Sequence, residues 1–234
     1  MKSKFVGSAV LVALLSFWCA LAVAADKVTA DEALERLMQG NKRFLERTMT
    51  ACAVSNNIAR EKLAKSQSPY AIILSCSDSR VPPEIIFDRA LGEIFVVRVA
   101  GNVSDPIILG SIEYAAEHLG SPLIMVLGHE RCGAVKATVD ANGKGKGNIG
   151  AIVWSIAPAL NKVKADCKAH KNCKEMDNAT LVERVVDENV REVAVNLTKQ
   201  SKVIRELVRE GKVKIVTAKY DLDDGTVTIL AGKK

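Results

Sequence analysis

The chain lacks a long apolar run beyond its first residues, and it is poor in aromatic side chains, which make up 4% of it. Without a second apolar run, the mature protein is expected to be soluble. Its 33 lysines and arginines are scattered over predicted helix faces with no aromatic residues between them, a pattern that argues against nucleic-acid binding. The glycine-rich stretch 143–147 lacks the Gly-Lys-Ser/Thr ending of a phosphate-binding loop. Neither an internal repeat nor a linker divides the chain, so we expect one domain.

The start of the chain has the pattern of a targeting segment. Lysines precede an apolar run from Phe5 to Val23, and an Ala-x-Ala site ends at Ala24. This pattern predicts a secretory signal peptide over residues 1–24 and a folded domain over residues 25–234. The expected location is periplasmic or secreted, with no membrane attachment after processing. The alternative is a retained anchor, because the apolar run is about long enough to span a bilayer.

Short apolar runs alternate with helical patterns along the rest of the chain. The predicted strands cover residues 70–75, 93–99, 123–127, 213–220 and 226–230. Asp223-Asp224-Gly225 predicts a turn between the last two. Strands separated by helices predict an α/β fold: a single domain with a mainly parallel four-stranded sheet flanked by helices, plus a C-terminal antiparallel edge strand.

The first helix of the predicted domain begins at a capping box, in which Glu32 reaches back to Thr29. Its apolar residues recur at helical spacing, but they are few: Leu34, Leu37, Met38, Phe44 and Leu45. We therefore expect this helix to lie outside the core, across another surface such as that of a partner subunit.

Two of the apolar runs end in residues that bind soft metals. Cys76 follows the first run, and His129 and Cys132 follow the third. The carboxyl ends of strands are where open α/β sheets build their sites. Thiolates and imidazole favour zinc over magnesium, calcium or manganese, and three protein ligands are the number that a catalytic zinc takes when it keeps a fourth position open. That position is expected to hold water or, in a closed form, Asp78.

An aspartate and an arginine follow the first cysteine at alternate positions. On an extended segment Asp78 points to the same side as Cys76, and Arg80 is placed to hold its carboxylate bidentately. Two thiolates neutralise a zinc ion, so the metal acidifies water less than a site with three imidazoles does. We expect Asp78 and Arg80 to orient that water and help to deprotonate it. The alternative is an ordinary structural salt bridge.

The other cysteines bear on the redox state of the protein. Cys167 and Cys173 flank a short polar loop and suit a local disulfide, which leaves Cys52 either free or bonded to another chain. In an oxidising compartment cysteines pair by default. The alternative to a metal site is therefore a disulfide between Cys76 and Cys132.

Together these motifs resemble a known family. Cys76-Ser77-Asp78-Ser79-Arg80 and Gly128-His129-x-x-Cys132-Gly133 are similar to the paired signature of the beta-class carbonic anhydrases. The likeness extends to residues 41–44, 92–98, 112–115 and 220–223. The resemblance implies that Cys76, His129 and Cys132 bind Zn²⁺, and that Asp78 and Arg80 form the catalytic dyad.

The resemblance also implies a substrate pocket. Gln67 matches a glutamine that donates a hydrogen bond to substrate, and Phe95 and Tyr114 match aromatic positions contributed largely across a dimer interface. An apolar pocket suits carbon dioxide, which has no dipole, and the implied assembly is a homodimer or a dimer of dimers. From the sequence alone, ordinary core packing is the alternative for both aromatic residues.

The chain departs from the family pattern at two places. It has Val99-Ala100-Gly101-Asn102 where many members have Asn-Val-Ala-Asn, which alters one pocket wall. Members that bind bicarbonate at a second, inhibitory site carry a tryptophan at the position of Ile73. We therefore predict no inhibitory bicarbonate site, and sigmoidal inhibition in a bicarbonate titration would contradict this prediction.

The expected activity is zinc-dependent reversible hydration of carbon dioxide to bicarbonate and a proton. One alternative is hydrolysis of carbon disulfide or carbonyl sulfide on the same fold. Another is a non-catalytic zinc or thiol-redox protein. Metal analysis with a thiol count separates the last from an enzyme.

Overall fold

A five-stranded sheet forms the centre of the protein. The computed structural model describes residues 28–169 and 176–231. The strands are β1 (Ala71–Ser75), β2 (Ile94–Arg98), β3 (Leu123–His129), β4 (Lys214–Tyr220) and β5 (Val227–Ile229). Their order across the sheet is β2-β1-β3-β4-β5, with the first four parallel and β5 antiparallel to β4. This is the predicted α/β arrangement, including the antiparallel edge strand.

Every residue of β1 and β3 is buried. These two strands lie inside the sheet and are covered on both faces, which is why they read as continuous apolar runs and not as alternating ones. Successive side chains still point to opposite faces. Ile73 packs on the side of the first helix, whereas Ile72 and Leu74 pack on the other side.

Helices cover both faces of the sheet. In the described residues they are α1 (Ala30–Leu45), α2 (Ala51–Val54), α3 (Asn57–Leu63), α4 (Pro83–Ile86), α5 (Pro106–Glu117), α6 (Gly133–Asp140), α7 (Gly147–Ala169), α8 (Asn178–Gln200) and α9 (Lys202–Arg209), with a short 3-10 turn at Ala100–Asn102. One face packs on α1 and α4, the other on α5, α8 and α9. A third cluster, from α6, α7 and α8, lies around Cys76 and Cys132.

Helix α1 begins at the predicted capping box, but the expectation that it lies outside the core is wrong. Leu37 is fully buried in the cluster beneath the sheet, and Leu34, Met38 and Phe44 pack against that cluster. A sparse apolar stripe is sufficient here because Gly40 lets the helix approach α4 closely. A Cβ at that position would lie 1.7 Å from the carbonyl oxygen of Phe87.

One polar residue of α1 is also buried. The Asn41 amide nitrogen donates to the carbonyl oxygens of Ile86 (3.2 Å) and Gly225 (2.9 Å), and its oxygen accepts from the Val227 amide (3.0 Å). Asn41 therefore joins the first helix to α4 and to the turn between β4 and β5.

We expect Asn41→Ala to lower the free energy of unfolding by about 3 kcal/mol, because it leaves buried backbone groups unpaired at about 1–3 kcal/mol each. Denaturant unfolding measures the change. Gln39 lies on the same helix and bonds only Glu35 at the surface, so Gln39→Ala is the matched control, with a change below about 0.5 kcal/mol. Equal effects of the two substitutions would show that the Asn41 bonds do not stabilise the fold.

No helix within residues 28–169 and 176–231 has the length and apolar character to cross a membrane. The predicted signal peptide over residues 1–24 lies outside the described residues and stays a prediction.

Candidate metal centre

The three predicted ligands meet at the carboxyl ends of the two central strands. Cys76 directly follows β1, His129 is the last residue of β3, and Cys132 is the residue before α6. Because Ser75 pairs with Leu127, the two strands end side by side. The ligand atoms lie within 4.8 Å of one another, and all three residues are buried.

The orientation of the His129 ring identifies the nitrogen that faces the cysteines. Its Nδ1 lies 2.8 Å from the Glu130 carbonyl oxygen, which can only accept, so Nδ1 carries the proton. The lone pair is then on Nε2, which is buried and has no hydrogen-bond partner. A buried acceptor without a partner is unfavourable unless something binds it. A cation that prefers nitrogen and sulfur, such as Zn²⁺, fits this position.

The two cysteines are free thiols in the structure, against the alternative of a disulfide between them. A hydrogen bond from the Cys132 thiol lowers the pKa of Cys76, and the same bond raises the pKa of Cys132. The amides of Gly101 (3.3 Å) and Asp78 (3.4 Å) also donate to the Cys76 sulfur. A divalent cation bound between the two sulfurs would displace the thiol protons and bind two thiolates.

Asp78 and Arg80 form the predicted bidentate pair. The Arg80 guanidinium donates to both carboxylate oxygens, at 2.9 and 2.8 Å, and the Arg80 amide donates at 3.0 Å. These hydrogen bonds hold the pKa of Asp78 well below its usual range. The carboxylate lies beside the ligands, with its Oδ2 3.9 Å from Nε2 of His129. An ionised acceptor therefore lies next to the metal position.

Sequence reasoning gave no role to Arg98, which holds the segment that carries Cys76 and Asp78. The Arg98 guanidinium donates to the carbonyl oxygens of Cys76 (3.0 Å) and Asp78 (2.6 Å). The signal was an arginine at the end of a largely apolar strand, paired with Ser75 in the register. A charged residue beside the end of a strand that delivers a ligand indicates a positioning role.

Gly101 explains one departure from the family pattern. It has a φ of 74° in the 3-10 turn, and a Cβ there would lie 2.8 Å from Ile156. Only glycine adopts this conformation at little cost, and it presents the Gly101 amide to the Cys76 sulfur. Ile73, the other departure, is fully buried; the absence of an inhibitory bicarbonate site stays a prediction.

The predicted pocket residues lie at the opposite end of the sheet. Phe95 pairs with Ile72, four positions before Cys76, which is about 13 Å along a parallel strand. The rings of Phe95 and Tyr114 are 6.4 Å apart, and Gln67 and Tyr114 line a cavity of about 520 Å³. Tyr114 is 48% exposed, which is not core packing. One chain brings these three residues together but does not bring them to the metal ligands.

Comparison with known proteins gives the family. The family model described as carbonic anhydrase matches residues 71–227. Carbonic anhydrase 2 of Mycobacterium tuberculosis is 38% identical over 200 residues, covering 84% of this chain and 91% of the relative. This chain belongs to the beta-class carbonic anhydrases. It is accordingly an enzyme, and the resemblance inferred from the paired motifs is confirmed.

Solved structures of β-carbonic anhydrases have a fold similar to that of this chain. The β-carbonic anhydrase of Aspergillus fumigatus has a TM-score of 0.67 and 25% identity, covering 84% of this chain and 90% of that one. A β-carbonic anhydrase of Sordaria macrospora, described as tetrameric, has a TM-score of 0.62 and 25% identity, covering 85% and 97%.

Cys52 and Cys167, the other cysteines within the described residues, are not part of the cluster of Cys76, His129 and Cys132. Cys52 is free and exposed. Cys167 is disulfide-bonded and accepts a hydrogen bond from Arg184 at 3.2 Å. Its predicted partner, Cys173, lies outside the described residues, so that pairing stays a prediction.

Proposed function

We propose that this carbonic anhydrase catalyses the zinc-dependent reversible hydration of carbon dioxide to bicarbonate and a proton. The observation that carries the proposal is the buried, unpartnered Nε2 of His129 within 4.8 Å of two cysteine sulfurs. Beside it lies an aspartate kept ionised by an arginine. Family membership favours this activity over carbon disulfide or carbonyl sulfide hydrolysis, and over a non-catalytic zinc or thiol protein.

Cys76, His129 and Cys132 would hold the ion through two sulfurs and Nε2. Three protein ligands leave one position of a tetrahedral zinc for water or substrate. When bound, zinc makes a nucleophile available near neutral pH by lowering the pKa of water. The Gly101 and Asp78 amides reduce the charge on the Cys76 sulfur, which limits how far that sulfur offsets the charge of the ion.

Asp78 accepts the hydrogen bond of the attacking water and so directs its lone pair at carbon dioxide. Arg80 occupies both carboxylate oxygens, which keeps Asp78 ionised and holds it off the metal. This arrangement favours the open form, in which Asp78 is not the fourth ligand. Catalysis by a placed proton acceptor contributes about 10²- to 10⁴-fold.

A second copy of the chain supplies the substrate pocket in this proposal. Gln67, Phe95 and Tyr114 lie too far along the sheet to contact substrate at their own metal centre, and Tyr114 is half exposed. A relative described as tetrameric supports assembly as a homodimer or a dimer of dimers. Gln67, Phe95 and Tyr114 of the second copy would then cover carbon dioxide held beside Asp78 of the first.

Co-purified mixed dimers test the shared site. We expect Asp78→Asn and Gln67→Leu each to impair their own homodimer. In a two-fold symmetric mixed dimer one site receives both defects and the other receives neither, so about half of the wild-type activity returns. Stopped-flow hydration of dimers selected with two different tags measures it. If Gln67 serves the site of its own chain, no intact site forms and the activity does not return.

Stopped-flow hydration of carbon dioxide, with parallel metal analysis, tests the activity itself. We expect one zinc per chain, loss of hydration after chelation, and recovery when zinc is returned. A protein that hydrates carbon dioxide equally well after complete metal removal would overturn the proposal.

We also propose that the enzyme works in the periplasm or outside the cell after cleavage behind Ala24. The proposal rests on the leader pattern described above. Mass spectrometry of the exported protein should find Ala25 as its first residue. An intact leader on the exported protein would support the alternative, a membrane anchor.

A further inference from the structure

The loop between two of the metal ligands contains a residue in an unusual conformation. Arg131 lies between His129 and Cys132 and has a φ of 50°. Residues other than glycine adopt left-handed backbone angles at an energetic cost, so contacts with the surrounding structure must stabilise this conformation. We call residues 129–132 the ligand loop. Its shape sets the position of the Cys132 sulfur relative to the His129 ring.

The amides of Glu130 and Arg131, the two residues between the ligands, are bound by elements outside the ligand loop. The Glu130 amide donates to the carbonyl oxygen of Tyr220 at 3.1 Å. The Arg131 amide donates to the Glu183 carboxylate, on α8, at 2.7 Å. The second bond is the shorter of the two. Lys219 lies 3.0 Å from the other oxygen of Glu183, which fixes the carboxylate in turn.

A second contact, between the side chains of Arg131 and Asp223, stabilises the ligand loop less. The Arg131 guanidinium donates to both Asp223 oxygens, at 2.9 and 2.8 Å. The two side chains are 50% and 75% exposed, and exposed ion pairs contribute little. The Glu183 side chain is 30% exposed and acts on the backbone itself. The backbone contact therefore decides the conformation of the ligand loop.

We propose that Glu183 is a positioning residue of the metal centre. Its carboxylate accepts the Arg131 amide, holds the ligand loop in the left-handed turn and thereby places Cys132 beside His129. Without that acceptor, Arg131 relaxes toward a negative φ and the two ligands separate. Glu183 touches neither metal nor substrate in this role. The inference rests on the proposed zinc site. It attributes the effect of Glu183 on zinc affinity to the length of its side chain, which brings an acceptor oxygen to the Arg131 amide, and not to its charge.

Two substitutions of Glu183 distinguish the contribution of side-chain length from that of charge. Glu183→Gln keeps an oxygen acceptor at the same distance without the charge, while Asp187, 3.1 Å from Lys219, still pairs with that lysine. Glu183→Asp keeps the charge but is one methylene too short. In chelator competition for Zn²⁺, we expect Glu183→Asp to bind zinc about 10- to 100-fold more weakly, the usual effect of losing an outer partner of a metal ligand. Glu183→Gln should stay within about 3-fold of wild type.

The control is Asp223→Asn, which breaks the exposed pair and should leave zinc affinity unchanged. The Co²⁺ absorption spectrum gives a second measurement, because a displaced Cys132 changes the sulfur-to-cobalt bands. If both Glu183 variants bind zinc as the wild type does, or if Glu183→Gln loses as much affinity as Glu183→Asp, the inference is wrong. If the wild-type protein binds no zinc, the proposed function fails instead.

Arg131→Gly keeps the test informative if Glu183→Asp alone does not fold. Glycine adopts a φ of 50° without strain, so the ligand loop no longer depends on Glu183. In this background we expect Glu183→Asp to fold and to weaken zinc binding by less than about 3-fold. If the double variant still does not fold, Glu183 stabilises the whole protein, and the positioning role is overturned.

Discussion

Zinc is expected to leave the protein when Cys76 is replaced by serine. The Cys76 sulfur lies within 4.8 Å of the other two ligand atoms and accepts two amides that fix it there. A serine hydroxyl stays protonated near neutral pH and is a poor ligand for a borderline-soft ion. If four ligands share an apparent binding free energy of about 10–16 kcal/mol, one ligand contributes about 2.5–4 kcal/mol, or two to three orders of magnitude in affinity.

The matched control is Cys52→Ser, because Cys52 is free, exposed and on the short helix α2. We expect it to retain one zinc per chain and full hydration activity. Zinc content after dialysis against a weak chelator measures both variants, and the thermal midpoint should rise with added zinc only where a site remains. A Cys76→Ser protein that kept its zinc and its activity would remove this cysteine from the proposed centre.

The sheet was predictable because its central strands are buried on both faces. Every residue of β1 and β3 is buried, and all but Ser75, Gly128 and His129 are apolar, so the runs stand out against the helices between them. Two ligand motifs at the ends of such runs must meet, because neighbouring parallel strands end at one edge. The likeness to the beta-class carbonic anhydrases agreed with these ligands and added the roles of Gln67, Phe95 and Tyr114, and the chain belongs to that family.

What the sequence did not predict depends on close approach between distant segments. Gly40 reads as an interruption of a sparse helix, but it lets α1 reach the carbonyl oxygen of Phe87. Glu183 reads as an ordinary charged residue, and for Arg98 the signal is its place at the end of a largely apolar strand. Such contacts join positions 20 to 52 residues apart and carry no periodicity.

The predicted substrate pocket shows a different limit of prediction from sequence. Gln67, Phe95 and Tyr114 were predicted as one set, and one chain does bring them together, but at the end of the sheet remote from the metal ligands. No pattern within one chain reports which copy a residue serves. The half-exposed side chain of Tyr114 argues against core packing within one chain.

Asp78→Asn is expected to keep zinc and to lose about 99% or more of the hydration rate, because a placed proton acceptor contributes about 10²- to 10⁴-fold. Asparagine has the same shape, and its oxygen still accepts from the Arg80 amide and Nε, while the bond from Arg80 Nη2 is lost. Neither residue is one of the three ligands, so we expect zinc binding to persist. It presents an amide that donates where the carboxylate accepts, which turns the attacking water away. Stopped-flow hydration and zinc content are measured on the same sample.

The pH dependence gives a further check on the same pair. Hydrogen bonds from Arg80 lower the pKa of Asp78 from its model-compound value of 3.8. A carboxylate with a lowered pKa stabilises the fold above its unfolded pKa, and this contribution is lost as the pH falls through the folded pKa. Asp78 is therefore fully ionised from about pH 5 upward. The wild-type rate should show no titration from Asp78 in that range, and the loss in Asp78→Asn should be the same at every pH measured.

Asp31→Asn is the control for charge alone. Asp31 pairs with Lys214 at 2.7 Å on the exposed start of α1, on the side of the molecule away from the metal ligands. Its substitution makes the same change in net charge and should leave the rate within about 2-fold, since exposed pairs contribute little. If Asp78→Asn retains full turnover, the attacking water does not need this carboxylate, and the pair of Asp78 and Arg80 is structural only.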